Sequence, residues 1–169
     1  RLVNDGAEFA DFLAGFAPAA ELPYLSAVAH LDRCWTECHL AADATAVDRQ
    51  WLAQQTPDTL PQAALRPHPA ARWAWCDEHP AYALWQSHRE GLHHHEALEW
   101  TGDGALLTRP HAEVVWRPLS RAGVAFLDAC AQGHTLEVAA TSALNVEPTA
   151  DFAALISTLL DAGALIPTD

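Results

Sequence analysis

Apolar residues recur along this chain first at helical spacing, then in alternation, then at helical spacing again. Phe9, Phe12, Leu13 and Phe16 share one face of a short amphipathic helix over residues 6–16, which Pro18 ends. Pro23 stands where a first-turn proline belongs. After it, Leu25, Val28, Leu31, Trp35 and Cys38 form the stripe of a long helix reaching about Ala42. Residues 48–55 predict a further short helix, punctuated by Thr56-Pro57-Asp58 and Leu60-Pro61. From Leu65 the texture changes. Arg66-Pro67-His68-Pro69 opens an extended segment into Arg72-Trp73-Ala74-Trp75, whose alternation predicts a strand with the prolines at its edge. His79-Pro80 starts a helix to about Arg89. Residues 97–101, 105–109 and 113–117 then read as three strands, with Gly102-Asp103-Gly104 as the first hairpin turn and Pro110-His111 as the second.

The end of the chain is helical. Ser120 is the predicted N-cap of a helix over residues 121–131 that Gly133 closes. Thr135 caps a second, to about Leu144, with Leu136, Val138 and Ala139 turned inward. Thr149 or Asp151 caps a third, bearing Phe152, Leu155, Ile156, Leu159 and Leu160; Gly163 stops it, and residues 164–166 form a short strand. Strands, helix, turn, helix, helix and short strand follow the order of a winged-helix domain. The expected fold is therefore α+β. A helical region spans 1–56, a connecting strand and helix span 57–95, and a winged-helix-like domain spans 96–169.

Composition narrows the function. The 169 residues are half hydrophobic, with mean hydropathy −0.03, which suits one ordinary domain or two small ones and excludes global disorder. No stretch approaches the ~18–20 apolar residues of a membrane span. The start, Arg1-Leu2-Val3-Asn4-Asp5, has no apolar core of a signal peptide. Four sparse cysteines match neither a disulfide scaffold nor a zinc ribbon, so a reducing cytoplasm is the expected compartment.

Charge is decisive because it is uneven. The net charge is −13, and all nine cations are arginines. Residues 1–65 and 122–169 each carry −6, whereas residues 66–121 carry −1 and hold seven of the ten histidines. No Arg or Lys occurs from Ala122 onward, so either candidate recognition helix would repel a duplex. Nucleic acid and anionic membranes are thus excluded as expected partners.

Two clusters invite a metal reading. His93-His94-His95-Glu96 is a His-rich tract, but neighbours on an extended chain point to opposite faces and cannot all close on one ion without a bend. A polar loop is the ordinary explanation. His30, Cys34 and Cys38 share a helical face, with His39 adjacent, yet Leu31 and Trp35 flank them and reduced cysteine is among the most buried residue types. Packing is the expected role, and no metal is assigned. No phosphate loop, GxSxG elbow or CxxC is present, and no catalytic residue is assigned. On the predicted sheet, Leu107, Arg109, Val115, Trp116 and Arg117 form an apolar and cationic group that could receive a peptide strand.

The order of several short motifs resembles the bacterial HvfC/BufC-type family. They are Gly6-Ala7-Glu8-Phe9-Ala10-Asp11-Phe12-Leu13, Glu21-Leu22-Pro23-Tyr24-Leu25, Leu31-Asp32 and Ala41-Ala42-Asp43. Further on come Leu65-Arg66-Pro67-His68-Pro69, Ala83-Leu84-Trp85, Arg109-Pro110, Val115-Trp116-Arg117-Pro118-Leu119-Ser120 and the ending over 159–165. The resemblance implies a partner protein of a multinuclear non-heme iron-dependent oxidative enzyme, forming a heterodimer with it. Such enzymes modify cysteines in ribosomally made precursor peptides, including copper-binding bufferins. It also implies a C-terminal winged-helix element that captures the precursor by strand addition, with the iron and the oxidation in the enzyme and no cofactor in this chain. Because the match starts at the last helices of the family's N-terminal region, part of that region is expected to lie outside this sequence. The alternatives are a DNA-binding regulator, the older label for such proteins, and a His/Cys metal-binding protein.

Overall fold

The computed structural model describes residues 8–92 and 98–168. They begin with α1 (Phe9–Gly15), a 3-10 turn over Ala17–Ala19, α2 (Leu25–Leu40) and α3 (Arg49–Ala53). Then come β1 (Leu65–Pro67), β2 (Arg72–Cys76), α4 (Ala81–Arg89), β3 (Asp103–Thr108) and β4 (Val115–Pro118). The chain ends with α5 (Arg121–Ala131), α6 (Leu136–Val146), α7 (Phe152–Asp161) and β5 (Leu165–Pro167). The fold is mixed, with seven α-helices and two small antiparallel sheets in the described residues.

β3 organises the molecule because both of its faces are buried. It is the middle strand of a sheet ordered β2-β3-β4. Successive side chains on a strand point to opposite faces, and here each face meets a different core. Leu106 packs with Phe126, Leu127, Leu159 and Leu165 beneath α5–α7. Ala105 and Leu107 pack with Leu31, Cys38, Tyr82 and Trp85 of α2 and α4. A second sheet pairs β1 with β5, Leu65 opposite Pro167, and so ties the end of the chain back to its middle.

The helix ends follow their capping chemistry. The side chains of Asp48, Ser120 and Asp151 accept the main-chain N–H of Trp51, Gly123 and Ala154, which satisfies donors that a helix start leaves open. Gly133 and Gly163 close α5 and α7 at φ of 80° and 62°, where a side chain would be strained.

Four expectations need correction. Residues 98–101 form no strand, and Gly102-Asp103-Gly104 is not a hairpin turn. The side of β3 that such a hairpin would pair is already taken by β2, with Cys76 opposite Asp103. The Asp103 carboxylate instead accepts the N–H groups of Tyr82 and Ala83, both at 2.9 Å, where the α4 start lacks a cap of its own. On α6, Val138 is exposed at 43% and the buried residues are Ala139 and Ala143, because α5 lies close enough to accept only small side chains. Thr135 begins that helix without a side-chain cap bond.

Candidate functional site

The main chain of the three-stranded sheet determines what its edges offer. Leu119 N–H donates to Gly104 O at 2.9 Å, so Gly104 directs its polar groups toward β4. Antiparallel pairing alternates along a strand. Leu106 and Thr108 therefore also bond toward β4, while Ala105 and Leu107 bond toward β2. Trp73 and Trp75, opposite Leu106 and Gly104, consequently turn their N–H and C=O groups away from the sheet. Among the described residues nothing pairs with them. On the far side, Trp116 likewise turns outward, but Pro118 follows two residues later and has no N–H to give.

Side chains fix the β2 edge in place. Trp73 donates its indole N–H to Asp128 of α5 at 2.8 Å, and Trp75 donates to Asp77 at 3.0 Å. Arg121 lies over the Trp75 ring, 4.9 Å from its centroid, and also bonds Asp77. The opposite face is held by Arg72, which donates to Glu37 at 2.8 Å and to the carbonyls of Pro69 and Ala71. Gly104 has to be glycine here, since a Cβ would lie 2.5 Å from Leu119 O and 2.7 Å from the Trp75 ring. Beside the start of this edge runs an open groove of about 360 Å³, lined by Arg66, Pro67, Pro69, Arg72, Trp73 and Ala131.

The residues singled out in the sequence are not brought together at one edge. Leu107 is fully buried in the core below α2 and α4, so it cannot touch a bound strand. Arg109 is turned the other way: it donates to the carbonyls of His39 and Ala41 at the end of α2 and to Asp43 at 2.8 Å. Its charge is neutralised there, and its side chain is only 10% exposed. Val115 and Trp116 are half-buried on β4; the Trp116 ring meets Trp85 edge-on at 5.3 Å and donates to Glu90 at 3.2 Å. Arg117 is half-buried, with a buried Nε that has no hydrogen-bond partner.

Of the eight described arginines, six hold an ion pair with an acid; Arg66 and Arg117 do not. Arg66 lies in the groove beside β2. The β2 edge was legible as a strand flanked by prolines, but its availability was not, because that depends on which neighbour β3 takes.

The His and Cys cluster on α2 is packed. Cys34 lies 3.6 Å from His30 Nε2, and Cys38 donates to Ala70 O at 2.8 Å inside the core. His39 stacks on Trp35 at 5.4 Å. Burial pushes the Cys34 and Cys38 thiols up to about 11 and that of Cys130 up to about 12, leaving them protonated at neutral pH. Among the described residues no group of three or more His, Cys, Asp and Glu could hold a metal ion. His93, His94 and His95 lie outside the described residues. No helix among the described residues is long and apolar enough to cross a membrane. Neither α6 nor α7 carries an Arg or Lys. No family model and no curated protein matches the chain.

Proposed function

We propose that this chain is a non-catalytic recognition subunit. It binds a multinuclear iron oxidative enzyme as a heterodimer and presents to it a ribosomally made, cysteine-containing peptide. In this reading β2–β4 and α5–α7 are the winged-helix-like element, and the precursor adds as a further strand. The observation that carries the reading is the unpaired β2 edge, where Trp73 and Trp75 offer two outward N–H groups and two outward carbonyls. Such an edge invites strand addition. Arg66, in the adjoining groove and with no acidic partner among the described residues, supplies a positive charge for acidic precursor residues. The resemblance in motif order to the HvfC/BufC-type family supplies the class of enzyme and substrate.

The test uses the chain with a candidate oxidase and precursor peptide of the class the resemblance implies. Co-expression is expected to give a stable 1:1 complex with the oxidase on size exclusion. Trp75→Pro removes an outward donor without touching the β2–β3 ladder and should abolish precursor binding. Trp75→Ala keeps that donor and should retain most of it. Separate elution of the two proteins, or equal binding by the proline and alanine variants, would overturn the proposal. Loss of binding through Trp116→Pro alone would move the site to the β4 edge.

A further inference from the structure

A second surface, sharing no residue with the β2 edge, has the form of a helix-docking groove. α3, the turn before β1, α6 and α7 enclose an open groove of about 370 Å³ whose walls include Leu52, Leu60, Phe126, Leu136, Leu144 and Phe152. Its two polar lining residues do not reach into it for a polar ligand. The Thr141 hydroxyl donates to Glu137 O at 2.9 Å, and the Glu137 carboxylate accepts from Gln62 Nε2 at 3.2 Å at the rim. On the groove face of α6, Leu144 is left 39% exposed. A solvated helix would normally be polar at such a position.

The charge around the groove selects its occupant. Among the described residues Glu137 of α6 is the one charged residue in the groove lining, and from Ala122 onward the chain has no Arg or Lys to offset it. Arg49 on α3 is paired with Asp161 and bonded to Ser157, so that pair is neutral and Glu137 is the lining acid with no cation beside it among the described residues. The walls are helices whose main chain is already bonded, so affinity has to come from side chains rather than from strand pairing. α6 has 11 residues and is about 16 Å long, the length of a two- to three-turn ligand helix. We infer that this groove docks an amphipathic helix of a partner protein, with its apolar face on Leu136, Leu144 and Phe152 and its flanks bearing Lys or Arg. An acyl chain with an acidic head would meet the same acidic rim and be repelled. The inference does not depend on strand addition at β2.

Two designed peptides test it on the full chain: a short Leu/Lys amphipathic helix and its Leu/Glu counterpart, each labelled for fluorescence anisotropy. The Lys peptide is expected to bind about tenfold more tightly, with the preference shrinking in high salt. Ala140→Trp fills the groove and should abolish binding while the circular dichroism of the fold is retained. Glu137→Lys, on the exposed rim, should weaken the Lys peptide several-fold and strengthen the Glu peptide. Should the filled groove not fold, that charge reversal alone decides. Equal affinity for the two peptides, no binding of either, or no response to Glu137→Lys would overturn the inference. So would a neutral dodecyl detergent monomer that saturates the groove and excludes the peptide, or self-association through this face in sedimentation.

Discussion

Asp103, at the start of β3, accepts the main-chain N–H of Tyr82 in the first turn of α4 at 2.9 Å. Its second oxygen takes the N–H of Ala83 at the same distance, so one carboxylate joins the sheet to the helix packed on it. Pro80, at the N-cap position, offers no side-chain acceptor. Asp103→Ala should therefore behave as loss of an N-cap and cost about 1–2 kcal/mol in urea denaturation. Burial raises the Asp103 carboxyl above its usual value, outweighing the two N–H bonds that lower it. A raised aspartate is protonated first in the folded chain, so its ionised form weakens the fold as pH rises through the window above the normal aspartate range. The stability of the native chain relative to Asp103→Asn should accordingly be greater at pH 4 than at pH 7. A difference that does not change with pH would remove this account.

Arg89 links three tryptophans. Its guanidinium carbon lies 4.3 Å from the Trp35 centroid, 5.1 Å from that of Trp85 and 5.8 Å from that of Trp116, and its NH1 bonds Asp32 at 3.0 Å. Asp32 also accepts the Trp85 indole N–H at 2.9 Å. A planar cation can face several rings, which an ammonium cannot reproduce. Arg89→Lys should thus destabilise by about 1 kcal/mol, and Trp116→Ala by about 2–3 kcal/mol, since it removes a half-buried ring from the Trp85 contact. Thermal and urea unfolding of both variants checks this. Trp116→Ala leaving stability untouched would show that the contact with Trp85 and Arg89 does not support the fold.

How far the chain could be read from its residues depends on whether a feature is local. The helices were legible because caps and spacing act within a few residues: Ser120 with Gly123, Asp151 with Ala154, and Gly133 at a positive φ. What pairs with what was not. Gly102-Asp103-Gly104 has the chemistry of a turn, and only the presence of the α4 start nearby makes Asp103 a cap. Val138 follows the apolar spacing of α6, but close packing on α5 gives the inward positions to Ala139 and Ala143. Arg109 looks like a free cation on a strand, yet the end of α2, far away in sequence, consumes its donors. The candidate site suffered most, because an open edge is a property of the sheet order.

The four free cysteines give a direct check on the packing of α2 and α5. Cys34, Cys38 and Cys130 are buried, and burial raises all three thiols, to about 11, 11 and 12. Reaction with an aromatic disulfide needs an accessible thiolate. At pH 8 the native chain should expose at most one reactive thiol, the half-buried Cys76, and the denatured chain should expose four. Fast native reaction of three or more would mean that α2 is not seated on β2.

Glu37 is where α2 grips the strand that carries the candidate edge. Its carboxylate oxygens bond Arg33 at 2.7 Å, one turn away, and Arg72 of β2 at 2.8 Å. Burial by itself would raise this carboxyl, but the hydrogen bonds and charges of Arg72 and Arg33 together outweigh it and hold the group below its usual value. A depressed carboxyl contributes stability that is present above the unfolded-state value and is lost as pH falls through the folded one. Its side chain is 31% exposed, so solvent and salt screen part of the gain. Glu37→Gln should cost about 1 kcal/mol at pH 7, and less in high salt. That difference should vanish in acid, once both states of the native chain hold the proton. Urea titrations of the two proteins across this range measure it. Because Arg72 also bonds the Pro69 and Ala71 carbonyls, the substitution loosens the entry to β2 as well. Hydrogen exchange at Trp73 and Trp75 should then accelerate more than at β3. A uniform acceleration across the sheet would mean that Glu37 supports the whole fold and has no particular hold on this edge.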